Sequence, residues 1–320
     1  EVLRYNTNAE FGSANSWEIC EPTAPDRYHF GVYVAPHVYF VPYIDHTTVL
    51  RYDTSDPGGF CAPTAWETCD PHAIQDPVGT GIYAGAVADE RYVYFTPEAP
   101  DGEFLRYDTE ATFCGNTSWL AFDPGENGVG ADPDGYWGGV FDGRYVYFAP
   151  HHNGTDYHGE VLRYDTTAPF DGASAWSVFD VQNSAPPGAK GGYSGAVFDG
   201  LYVYFVPFYE SNDEPHGEVL RYDTREPFAT ASSWDTFDYG ENCAGECTDP
   251  DGYAGAVVAG QYVYFAPYKA TTTDGHHGEV LRYDTLADIP AVSEWGLAAL
   301  ILLLLTCGTL VLTRRRAVPG

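Results

Sequence analysis

The apolar positions of this chain fall in short β-branched and aromatic runs, each broken by glycine, proline or aspartate. Tyr-Val-Tyr-Phe begins at 92, 145, 202 and 262, with His-Val-Tyr-Phe at 37. Leu-Arg-Tyr-Asp-Thr begins at 50, 105, 162, 220 and 281, and Leu-Arg-Tyr-Asn-Thr at 3. A tryptophan follows small polar residues at 17, 66, 119, 176 and 234, at spacings of 49, 53, 57 and 58. These runs predict strands, and no helical period appears before the C-terminal tail.

One unit shows the order. Residues 192–199, Gly-Tyr-Ser-Gly-Ala-Val-Phe-Asp, predict a small-residue first strand, and Asp199-Gly200 a tight turn into a second strand through Tyr202-Val-Tyr-Phe. A His-Gly or Asp-Gly turn leads to the third strand, Glu-Val-Leu-Arg-Tyr-Asp-Thr from 218, and the run from Ser233 and Trp234 supplies the fourth. A repeat of this length suits a four-stranded blade, so the predicted fold is an all-β propeller. There are five first, five second, six third and five fourth strands. They allow five blades, with the opening strands completing the last, or six if a further strand pair precedes Glu1. The chain contains no methionine and starts inside a repeat, so an N-terminal piece carrying a signal peptide is expected to be absent from it.

The order Gly-Ala-Val, Asp-Gly, Tyr-Val-Tyr, Tyr-Asp, Trp resembles kelch repeats over roughly residues 1–285. The kelch double glycine after the second strand is replaced here by Ala-Pro-Tyr or Val-Pro-Tyr. The resemblance implies a kelch-like propeller ectodomain, placed at residues 1–288.

The tail is different in kind. Residues 295–313 carry no charge, and about 1.5 Å per residue lets them just cross a bilayer core of about 30 Å. Arg314, Arg315 and Arg316 follow, which places the C-terminus in the cytoplasm and everything before Trp295 outside. Ile289, Pro290, Trp295 and Gly296, then the apolar run and the arginines, resemble the IPTL-CTERM protein-sorting domain of Gram-negative bacteria. Ala291 and Val292 depart from that pattern. The resemblance, over residues 289–320, implies export to the cell envelope or surface, anchoring by a single membrane helix, and handling by an exosortase-type processing enzyme.

Charge and cysteine narrow the reading further. With 46 acidic against 15 basic residues and a net charge of −31, the chain is a poor partner for nucleic acid, because little could neutralise phosphates. Six cysteines lie outside the apolar run, and repeat symmetry favours Cys20–Cys61 and Cys69–Cys114 as equivalent links between neighbouring blades. A local Cys61–Cys69 bridge is the rival pairing, and reduced thiols are the alternative to any bridge. Cys243 and Cys247 replace Gly128 and Ala131 of a similar loop, suggesting a third, local bridge. Disulfides of this kind agree with an exported protein.

Candidate chemistry is sparse. Asp132, Asp134, Asp249 and Asp251 sit in Asp-Pro-Asp-Gly loops whose oxygens could hold calcium; the competing reading is a turn in which Asp caps backbone amides and Gly is left-handed. His46, His158, His216 and His277 share one turn position, with His151, His152 and His276 nearby, but equivalent places in different blades cannot share an ion. The repeated Arg4, Arg51, Arg106, Arg163, Arg221 and Arg282 predict ion pairs between blades. No Gly-x-Ser-x-Gly elbow, His-Glu-x-x-His, P-loop or dinucleotide glycine pattern is present. Glu126 and Asp134 could serve a glycosidase only if geometry paired them. The sequence favours an exported module that binds a glycan or a surface protein. A secreted carbohydrate-active enzyme and a structural acidic coat component are the alternatives.

Overall fold

A computed structural model of the chain describes residues 1–23, 27–43, 46–74, 82–98, 102–131, 133–184, 189–211, 213–242, 251–269 and 278–288. The architecture is an all-β, five-bladed propeller. Blade 1 comprises Tyr28–Val34, His37–Pro42, Val49–Asp53 and Trp66–Cys69; blade 2, Tyr83–Ala88, Tyr92–Pro97, Phe104–Asp108 and Trp119–Phe122. Blade 3 comprises Tyr136–Phe141, Tyr145–Pro150, Glu160–Asp165 and Trp176–Asp180; blade 4, Tyr193–Phe198, Tyr202–Pro207, Glu218–Asp223 and Trp234–Asp238. Blade 5 has Tyr253–Ala259, Tyr262–Pro267 and Leu281–Asp284. Within blades 1 to 4 each strand pairs antiparallel with the next, as do the first two strands of blade 5, and the first strands of blades 1 to 5 pack in series.

The opening strands, Val2–Tyr5 and Trp17–Cys20, do not complete blade 5. Among the described residues they form a two-stranded ribbon of their own, packed on blade 1 through Cys20, Tyr52, Phe60 and Ala65. The third-strand place in blade 5 is already filled by Leu281–Asp284, a copy of the same motif. The ribbon buries little: Leu3 is 58% exposed, whereas Leu50, its counterpart in blade 1, is 1% exposed.

Small residues let the first strands meet. A Cβ on Gly85 would lie 2.6 Å from the Gly138 amide nitrogen, so backbones of blades 2 and 3 are in direct contact there. Where the other blades have glycine at this place, blade 1 has Phe30, whose ring reaches the neighbourhood of Gly138. The aspartate turns form as predicted: in blades 2, 3 and 4 one oxygen of Asp89, Asp142 or Asp199 accepts two turn amides, and the other accepts the hydroxyl of Tyr94, Tyr147 or Tyr204.

Each tryptophan locks a blade's outer edge. Its indole N–H donates to the carbonyl of the phenylalanine six residues before it, at 2.8 Å for Trp119 and Phe113 and 2.9 Å for Trp176 and Phe170. The ring packs on the third-strand tyrosine, with centroids 4.5 Å apart for Tyr107 and Trp119. Short 3-10 turns before the tryptophans and single helical turns at Pro71–Ile74, Val181–Ser184 and Tyr239–Asn242 are too brief to leave a period in the sequence.

The repeated arginines act differently from the expectation. Among the described residues three of them have a carboxylate partner in the same sheet, not the next blade: Arg4 pairs with Glu18, Arg51 with Glu67 and Arg221 with Asp235, each directly across the third and fourth strands. Contact with the following blade is made instead through a tyrosine hydroxyl and a phenylalanine face. Arg51 donates to Tyr107 at 3.3 Å and lies 4.3 Å over Phe113, and Arg4 reaches Tyr52 and Phe60 in the same way. A planar guanidinium can serve a carboxylate in its plane and a ring on its face at once.

Candidate functional site

Two repeat positions open onto the face where first strands begin and second strands end. The second residue of each first strand is His29, Ala84, Trp137, Ser194 or Ala254. The residue after each second-strand proline is Tyr43, Glu98, His151, Phe208 or Tyr268. Blades 1, 3, 4 and 5 place aromatic rings at these positions, and the rings join into one surface. His29 is 5.0 Å from Tyr43 and edge-on to Trp137 at 6.3 Å between centroids. Trp137 meets His151 at 4.6 Å and Phe208 at 5.6 Å, and Phe208 continues to Tyr268 at 5.3 Å. The small Ala84 in blade 2 leaves room for His29 to reach across, its Nε2 bonded to the Ala84 carbonyl at 2.9 Å.

The rim of this surface is polar. Tyr157 stacks on Tyr209 at 5.9 Å, its hydroxyl donates to Asp213, and the Lys269 ammonium lies 5.5 Å over the Tyr209 ring. Lys190 pairs with Glu210 at 3.3 Å, so both lysines of the chain stand beside the short strand Tyr209–Glu210. Burial lowers the His29 imidazole below its usual range and, with His152 adding to it, lowers His151 to about 3. Both rings therefore present uncharged faces at neutral pH. Tyr43 and Tyr268 remain partly open to solvent, at 37% and 36% exposure.

Of the residues singled out in sequence, His151 lies in this surface and His152 beside Tyr157 at its rim; the other described ones fall elsewhere. His158 and His216 are buried and bind the Gly135 and Gly191 carbonyls at 3.0 and 2.9 Å, holding the turn to the entry of the first strand. His46 is partly buried, and His276 and His277 lie outside the described residues. Of the proposed calcium oxygens, Asp132 and Asp249 lie outside them too. Asp134 comes against Gly102 together with Asp123, and Asp123 accepts the Glu126 amide at 3.0 Å. Gly135 and Gly252 are left-handed, at φ of 71° and 69°, as the turn reading requires. Among the described residues no group of three or more His, Cys, Asp or Glu is placed to hold a metal.

Cys69 is bonded to Cys114, with Cα atoms 5.6 Å apart, which excludes the Cys61–Cys69 pairing. Cys20 and Cys61 are thiols, and Cys243 and Cys247 lie outside the described residues. The sorting residues Ile289, Pro290, Trp295, Gly296, Arg314, Arg315 and Arg316 lie outside them as well. No helix among the described residues is long and apolar enough to cross a membrane. An open cleft of about 440 Å³ at the outer rim is lined by Arg51, Glu67, Thr68, Phe113 and Cys114. Its charged groups are already engaged in holding blade 1 to blade 2.

Among the described residues the aromatic surface is the arrangement that packing of the repeat leaves unexplained. Its signal in the sequence was variation: within motifs that repeat almost unchanged, these two positions each take four different residue types in five blades. No protein-family model and no curated protein matches the chain. Among solved structures it is similar to "Structure of YjhT", with a TM-score of 0.48 at 15% identity, covering 77% of this chain and 73% of that one.

Proposed function

We propose that the protein is an exported binding module whose propeller takes a glycan on the aromatic surface around Trp137, Phe208 and Tyr268. The observation that carries this is a continuous run of rings from four blades at one end of the propeller, partly exposed and uncharged. Sugar rings offer C–H groups of slight positive charge, which suit the negative faces of aromatic rings. The carboxylates and hydroxyls of the rim, Asp213, Tyr157 and Glu210 among them, would meet ligand hydroxyls.

Export agrees with the Cys69–Cys114 disulfide, since such bridges persist in oxidising compartments. We further read residues 289–320 as the sorting signal and membrane anchor, processed by an exosortase-type enzyme. Calcium held by Asp132, Asp134, Asp249 and Asp251 is a secondary proposal. Membrane fractionation with and without residues 289–320 tests the anchor: release of the shortened chain supports it, and unchanged partition refutes it.

The binding reading is tested by titrating polysaccharides against the wild type and a Trp137→Ala/Tyr268→Ala variant. Removing two stacking rings should weaken binding by about tenfold or more. Equal affinity in the two proteins would move the site off this surface.

A further inference from the structure

We propose that Cys20 and Cys61 are a redox-active pair that closes a second disulfide, tying the N-terminal ribbon to blade 1 as Cys69–Cys114 ties blade 1 to blade 2. The two pairs hold the same places in successive units. Cys20 and Cys69 end fourth strands, each three residues after the tryptophan. Cys61 and Cys114 each follow the phenylalanine, Phe60 or Phe113, that receives the arginine of the preceding unit at 4.4 and 4.3 Å. The bridged Cys114 keeps its sulfur 3.8 Å from the Thr68 carbonyl, the residue before its partner. The free Cys61 sulfur is 3.4 Å from the Ile19 carbonyl, the residue before Cys20. The Cys61 thiol thus already stands against the strand end that carries Cys20, near enough to raise the Cys20 thiol.

The two sulfurs differ in access, and that sets the order of events. Cys20 is buried, its thiol pushed up to about 11 by burial and then by Cys61, whereas Cys61 is exposed. Cys61 is therefore the attacking group. Its thiolate displaces one thiolate from a small-molecule disulfide of the glutathione type, forming a mixed disulfide. The Cys20 sulfur then attacks the Cys61 sulfur and displaces the second thiolate. Two electrons pass to the small disulfide, the two protein protons go to its two leaving thiols, and one S–S bond is exchanged for another.

The ribbon has reason to need such a tie. It contributes two strands where each complete blade contributes four, and Ile19 is 62% exposed on it. Its noncovalent hold on blade 1 is Arg4 on Tyr52 and Phe60, with the small cluster around Cys20.

The full chain is equilibrated with oxidised and reduced glutathione, alkylated, and digested without reduction. We expect a peptide joining Cys20 to Cys61 beside one joining Cys69 to Cys114, and an intact mass lower by two further hydrogens. Cys61→Ser should leave Cys20 alkylated and the Cys69–Cys114 bridge intact, with amides of Trp17–Cys20 exchanging several-fold faster than in the oxidised wild type. Alkylation of both Cys20 and Cys61 in wild-type chains that carry Cys69–Cys114, across all glutathione ratios, would overturn the proposal. So would capture of Cys61 by any other cysteine.

Discussion

Replacing Trp119 by alanine should cost far more than the same change at Trp17, although both belong to one repeated motif. Trp119 is 1% exposed, packs on Tyr107, Phe95 and Phe113, and donates its indole N–H to the Phe113 carbonyl at 2.8 Å. Deleting a fully buried tryptophan removes about 3–5 kcal/mol, and the orphaned carbonyl adds about 1 kcal/mol. Trp17 makes the same bond to Phe11 at 3.0 Å and packs on Tyr5, but Phe11 is 70% exposed. Its loss should cost about 1 kcal/mol, confined to the ribbon. Trp119→Phe separates the terms: it keeps most of the apolar contact, drops the N–H, and should cost about 1–2 kcal/mol. Urea unfolding followed by far-ultraviolet circular dichroism measures all three, read as midpoint shifts at unchanged slope. Trp119→Ala and Trp17→Ala falling within about 1 kcal/mol of each other would refute the claim that this ring stack holds each blade together.

Other substitutions probe the centre, the blade contacts and the buried charge. Gly85→Ala should destabilise by about 1–3 kcal/mol, since its Cβ meets the Gly138 backbone, while Gly255→Ala, with nothing within 4 Å, should be near neutral by the same unfolding assay. Arg51→Ala removes the Glu67 pair, the Tyr107 hydroxyl bond and the Phe113 contact together, and should cost about 2 kcal/mol; Arg51→Lys should fail to restore it, because one ammonium cannot serve all three. Burial raises the Glu218 carboxyl to about 7, where it accepts the Lys190 amide at 2.8 Å. The folded chain then holds a proton that the unfolded chain releases near 4.5, so this group's stabilisation is complete below that pH and lost as pH rises through 7. Glu218→Gln should accordingly gain on the wild type between pH 5 and 8 in melting temperature; an equal slope for both proteins would refute it.

Most of the scaffold could be read from the chain because its information is repeated. Tyr107, Phe113 and Trp119 recur in five units, the phenylalanine always six residues before the tryptophan, and burial of that set dictates strand order and the blade edge. The Cys69–Cys114 link followed from the same symmetry. The arginines were placed on the right strand but given the wrong partners. Spacing shows that Arg51 faces across a strand pair, yet it cannot show that Tyr107 and Phe113 of the next blade present a hydroxyl and a ring face rather than a carboxylate. The aromatic surface was hidden for the opposite reason. His29, Trp137 and Phe208 each occur once at their repeat positions, Tyr268 shares its place with Tyr43 alone, and only the circular arrangement of blades brings these distant residues together.

The most direct measurement is glycan-array binding by the full chain, run with calcium and with EDTA, for the wild type and the Trp137→Ala/Tyr268→Ala variant. The account predicts a defined set of glycans retained by the wild type and lost by the variant, with the EDTA arm deciding whether calcium takes part. No retention in either arm, or retention that survives removal of both rings, would contradict it.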